Sequence, residues 1–141
     1  MTISFIHSKF KNSISSSASN LHDIVGQALK NLVNMHFNAQ NFLIKTACVQ
    51  TTSYSNSSIS KFRIGDYQQL QASIDSYLSN HNTVRKCILC CPFISKNEIA
   101  QEFDNLKAGR HTRGHIPQLF WIISSFVHSA KDLNVVPVIY C

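Results

Sequence analysis

Acidic residues are scarce in this chain. Seven Asp and Glu face thirteen Lys and Arg in 141 residues, a formal net charge of +6, and the first acid to appear is Asp23. The imbalance favours acidic partners, whether nucleic acid, an anionic surface or an acidic protein face. Long runs of cations are also missing, so a disordered basic tail is not indicated. Glycine is rare too. Four in all leave neither common Gly-rich nucleotide loop present. No apolar stretch approaches the ~18 residues that span a bilayer, because 119–127 is interrupted by Ser124 and Ser125. No N-terminal apolar segment of signal-peptide length precedes a small-residue cleavage site, and the serine-rich first 22 residues carry lysines but no arginine. The cysteine count is odd, five, with three crowded at Cys87, Cys90 and Cys91, which predicts free thiols in a reducing compartment, cytoplasm or nucleus.

What is present suits one globular domain. At 15.9 kDa with 44% hydrophobic residues, the chain is long enough for one core and short for two. Residues 1–19 read as a flexible or loosely docked segment in which Ile3, Phe5 and Ile6 form at most a short strand. Leu21, Ile24, Val25, Ala28, Leu29, Leu32 and Val33 then recur at helical spacing, with Ser19 or Asn20 as cap, predicting a helix over 20–36. Residues 42–52 are rich in β-branched and aromatic types, and 59–64 set Lys61 and Arg63 against Phe62 and Ile64, predicting a hairpin through 53–58. Asp66 caps a helix whose Tyr67, Leu70, Ile74, Tyr77 and Leu78 share a face. Residues 84–91 read as a central strand, apolar on both faces.

Ser95 with Glu98 forms a capping box for a helix over 96–108, and Gly109 stands where a left-handed residue ends it. Pro117 opens a helix to 132 with almost no polar face, expected to be buried. Val135 to Tyr140 close with a strand that Pro137 demotes to an edge. The expected fold is therefore α/β (α+β-like): a single domain over 20–141, in the order α-β-β-α-β-α-α-β, with about four strands in a small mixed sheet covered by helices.

The densest chemistry lies in residues 109–117, Gly-Arg-His-Thr-Arg-Gly-His-Ile-Pro. Arg110, His111, Arg113 and His115 precede a helix whose first N–H groups and partial positive charge favour phosphate or carboxylate. Lys61 and Arg63, interleaved with Tyr54, Phe62 and Tyr67, form a second candidate surface, and Arg85 and Lys86 a third. Cys87-x2-Cys90 with His111-x3-His115 has the residue types of a zinc site. Its halves are too far apart for a zinc finger, however, and Cys87 and Cys90 fall inside an apolar strand, so small buried thiols are the competing account and no cofactor is expected. A nucleophilic Cys91 with His111 or His115 as base is a further alternative. The function expected from the sequence is that of a small, basic, non-enzymatic protein binding nucleic acid, RNA favoured, through Arg110, His111, Arg113, His115, Lys61, Arg63, Arg85 and Lys86. The alternative is an accessory or effector module covering an acidic protein surface of a host or regulatory factor, with a Cys/His-dependent enzyme or zinc-stabilised module third.

Overall fold

Ser17, Asp66 and Ser95 set where three helices begin. Each side chain accepts from a backbone N–H further along: Ser17 from Asn20, Asp66 from Gln68 and Gln69, Ser95 from Glu98. Each thereby satisfies a donor that a first helical turn leaves unpaired. The computed structural model describes residues 1–36 and 38–141. In chain order it contains β1 (Thr2–Ser8), α1 (Ala18–Leu32) continued by a 3-10 turn (Val33–His36), α2 (Ala39–Thr51), α3 (Tyr67–Ser79), β2 (Val84–Cys90), α4 (Lys96–Lys107), α5 (His115–Asp132) and β3 (Val136–Tyr140). The chain is mixed helix and strand, and its residues fall into two units: 2–35 with 84–141, and Met1 with 36–83.

The larger unit is built on a three-stranded, wholly parallel sheet of order β1-β2-β3. This corrects the expectation of about four strands in a mixed sheet, as well as the expected element order. The N-terminal strand is longer than Ile3, Phe5 and Ile6 imply, pairing with β2 from Thr2↔Val84 to Ser8↔Cys90. Alternation gives the sheet two faces. Ile3, Phe5, Cys87, Leu89 and Ile139 face a core completed by Leu21, Ile24, Val25, Ala28 and Leu32 of α1 and by Leu119, Phe126 and Ala130 of α5. The opposite face carries Ile6, Ile88, Val138 and Tyr140, with Ile6 64% and Tyr140 61% exposed. A strand apolar on both sides thus has only one side covered within this unit.

α5 matches its expected span closely, yet one side of it is open. Leu119, Phe126 and Ala130 are fully buried while Trp121 is 76% exposed. Trp121, Ser124 and His128 recur three and four residues apart and so share one outward face of an otherwise apolar helix. Gly109 ends α4 as expected, with φ +67°, a conformation costly for residues carrying Cβ.

In the smaller unit the expected 42–52 strand is a helix, α2. Asn38 caps it by accepting from Asn41 N at 2.8 Å. Its half-buried residues, Ala39, Phe42, Leu43, Thr46 and Val49, recur at helical rather than alternating spacing. Thr46 turns its hydroxyl onto Phe42 O at 3.0 Å, so a β-branched residue is accommodated without a strand. Only an isolated Ser53↔Ser60 bridge remains of the hairpin. Tyr67 of α3 is buried, packs edge-on against Phe62 and donates to Leu43 O at 3.4 Å, joining α3 to α2.

Candidate anion-binding cleft

Parallel strands followed by helices bring helix N-termini to the carboxyl end of the sheet, where ligands of such folds bind. Here a cleft of about 660 Å³ opens between the β1–α1 loop and the start of α5, lined by Ile14, Ser15, Ser16, Ser17, Ser19, Glu98, Arg113, His115 and Gln118. The serine loop is anchored: Ser15 N donates to Phe93 O at 2.6 Å, and the Ser16 hydroxyl bonds Glu98. Ser17 and Ser95 cap their own helices, whereas α5 begins at Gly114 with no side-chain cap. Pro117 lacks an N–H and Ile116 N already donates to Arg113 O at 2.9 Å, so few backbone donors remain at this helix start.

Arg113 reaches back across α4 to two carboxylates, pairing with Glu98 and lying 3.5 Å from Glu102. The Arg113 and Ser16 hydrogen bonds hold the Glu98 carboxyl below its ordinary range, and Glu98 in turn raises the Arg113 guanidinium. Arg113 and Glu98 therefore enter the cleft as a compensated pair. Arg110 and His111 are exposed and do not line it; Arg110 N bonds Asn105 O at the end of α4. Four neighbours in sequence are thus divided along α4, with Arg113 and His115 at its first half and Arg110 and His111 at its last turn.

The remaining expected contacts lie elsewhere. Lys61 and Arg63 are exposed on a loop of the smaller unit. Arg85 and Lys86 start β2, five and four residues before its carboxyl end at Cys90, or roughly 13–17 Å at ~3.3 Å per residue. They also point to opposite faces: Arg85 Nε donates to Met35 O at 3.1 Å, and Lys86 lies on the open face. The serine loop and Glu98 were missed in sequence, although a strand, a serine run and an amphipathic helix in succession carry the signal.

The alternative zinc ligands do not converge. Cys87 faces the core, Cys90 the other side of the sheet, and His111 is an exposed loop residue. Among the described residues no three His, Cys, Asp or Glu are grouped to hold a metal ion. Cys91 is fully buried and burial pushes its thiol up to about 11, as it does for Cys87. Since the thiolate is the nucleophile, Cys91 is suited to packing rather than attack. Among the described residues no helix is long and apolar enough to cross a membrane. Comparison with protein-family models, with curated proteins and with solved structures finds no match.

Proposed function

We propose that this chain is a small, basic, non-enzymatic binding protein whose partner is nucleic acid, RNA favoured, held through its phosphates. The observation that carries the proposal is the start of α5 at the cleft, without a side-chain cap and beside His115, with Arg110 and His111 exposed further back on the same loop. Charge distribution supports it: ten Lys and Arg against five Asp and Glu leave +5 on the larger unit, and three against two leave +1 on the smaller. Arg110 and His111 act as outer phosphate contacts and His115, in the cleft, as the inner one. Arg113, held by Glu98 and Glu102, sets the path of the loop. Lys61, Arg63, Arg85 and Lys86 add a more diffuse attraction.

The test is a salt titration of binding to a labelled single-stranded RNA 12-mer. Each released counterion contributes a slope of roughly −0.7 in log K against log salt for a single strand. Arg110→Ala should lower the slope magnitude by about that amount and weaken binding roughly tenfold or more, a charge-assisted contact being worth ~1.5–3 kcal/mol. No retention of RNA or DNA at low salt would sink the proposal. An accessory module meeting an acidic protein surface is the second candidate, favoured by the open apolar face around Ile6, Ile88, Val138 and Tyr140. Unrelated RNA competes with the partner in the first case and not in the second.

A further inference from the structure

The two edges of the sheet are treated differently. In β3, Tyr140 O accepts from Cys91 N at 2.7 Å, so Val136, Val138 and Tyr140 bond toward β2, and Pro137 and Ile139 turn their backbone outward. Pro137 therefore removes a donor from the outer side of β3, blunting that edge against further pairing. In β1, Lys9 N donates to Cys90 O at 3.3 Å. The odd-numbered residues of β1 thus bond to β2, and the N–H and C=O groups of Thr2, Ser4, Ile6 and Ser8 face away from it. The whole strand, Thr-Ile-Ser-Phe-Ile-His-Ser, contains no proline, glycine, Lys or acid. Neither a proline nor a charged side chain blunts this edge along Thr2–Ser8.

A groove runs beside the carboxyl end of this edge. It measures about 530 Å³ and lies between Ser8 and Lys9 on one side and His22, Asp23, Gly26, Gln27 and Lys30 of α1 on the other. Gly26 supplies no side chain, and a Cβ built there would meet nothing within 4 Å. Lys9 spans the groove to Asp23 at 2.6 Å, leaving Lys30 and the neighbouring Lys11 as surplus positive charge.

We propose that the β1 edge and the β1–α1 groove together take an extended peptide carrying carboxylate side chains, which adds as a fourth strand. Main-chain bonds to Ser4, Ile6 and Ser8 provide affinity, and acidic side chains reaching Lys30 and Lys11 provide selectivity, as in other strand-addition sites. A second copy of this chain is disfavoured by charge, since two basic larger units would be brought together. The inference is independent of the cleft at α5.

The experiment uses the full chain and a fluorescein-labelled eight-residue peptide of alternating Val and Glu, with a Val/Lys peptide as control. Anisotropy and residue-resolved amide exchange are read together. The Val/Glu peptide should bind at least tenfold more tightly than the control and slow exchange at Ser4, Ile6 and Ser8. Ile6→Pro deletes an outward donor while sparing the β1–β2 ladder, and Gly26→Leu fills the groove; each should cost about tenfold or more in affinity. Gly26→Leu also raises helix propensity, so it tests the groove even where Ile6→Pro fails to fold. Equal binding of both peptides, or unchanged exchange at the three amides, overturns the proposal. So does protection of those amides without peptide in a sedimenting dimer, or the same protection produced by the RNA 12-mer.

Discussion

Phe126 and Trp121 lie on one helix, five residues apart, and the sequence gives both the same apolar character. The structure assigns them opposite roles: Phe126 is 0% exposed, Trp121 76%. Phe126→Ala removes a fully buried ring, losing roughly 1.5–3 kcal/mol of transfer free energy. An incompletely collapsed void adds about 24 cal/mol per Å³, so ~80 Å³ left open contributes about 2 kcal/mol. The expected cost is therefore ~3–5 kcal/mol, a large part of the ~5–15 kcal/mol that a small domain has. Trp121→Ala should stay within about 0.5 kcal/mol, as surface changes usually do. Urea denaturation followed by circular dichroism reads both, with the midpoint falling steeply for the first at constant slope. Phe126→Met, which keeps most of the volume, should cost less than about 1.5 kcal/mol. An unchanged midpoint for Phe126→Ala would refute the burial of this helix face; a large drop for Trp121→Ala would refute its exposure.

Two further predictions concern titration. His7 sits on the inner face of β1 with its Nε2 unpartnered, and burial lowers its pKa below 6.5. Its neutral form is thus favoured by folding, so this contribution to stability is complete above about pH 6.5 and lost as pH falls, when the unfolded chain takes up the proton first. His7→Leu should flatten thermal stability between about pH 6.5 and 5; an unaltered profile would discount His7. For the thiols, timed iodoacetamide labelling with mass spectrometry should modify exposed Cys48 first and spare Cys87 and Cys91 until urea unfolds the chain. Native labelling of Cys91 at the rate of Cys48 would contradict its burial.

α1, α3 and α4 were legible because a cap coincided with a clear apolar periodicity. Asp66 and Ser95 mark true starts, and α1 begins within about two residues of its expected position because Ser17, rather than Ser19 or Asn20, takes the capping role. The failure at α2 has a physical origin. Phe42, Leu43, Ile44, Thr46 and Val49 have high strand preference, but that preference expresses packing on a pleated, half-buried surface. α2 has no fully buried residue to reward such packing, while Asn38 satisfies a helical donor directly. β1 was underestimated for the complementary reason: short alternating polar strands gain their stability from a distant partner, here β2 some 80 residues on.

The 109–117 loop was legible as chemistry but not as geometry. Reading Arg110 and Arg113 as one anion clamp assumes that three residues of separation in a loop keep two side chains together. Gly109 reverses the chain at the end of α4, and the loop then runs back along that helix, so each further residue moves closer to its start. Glu98 and Glu102 stand one turn apart on α4, an arrangement of like charges that is unfavourable unless a cation sits across both. Arg113 is the cation that the returning loop delivers. A helix with acids at that spacing, followed by a glycine stop and a basic loop, thus predicts an internal ion-pair clasp for the second arginine. It leaves the first, Arg110, at the surface, where an external phosphate can reach it.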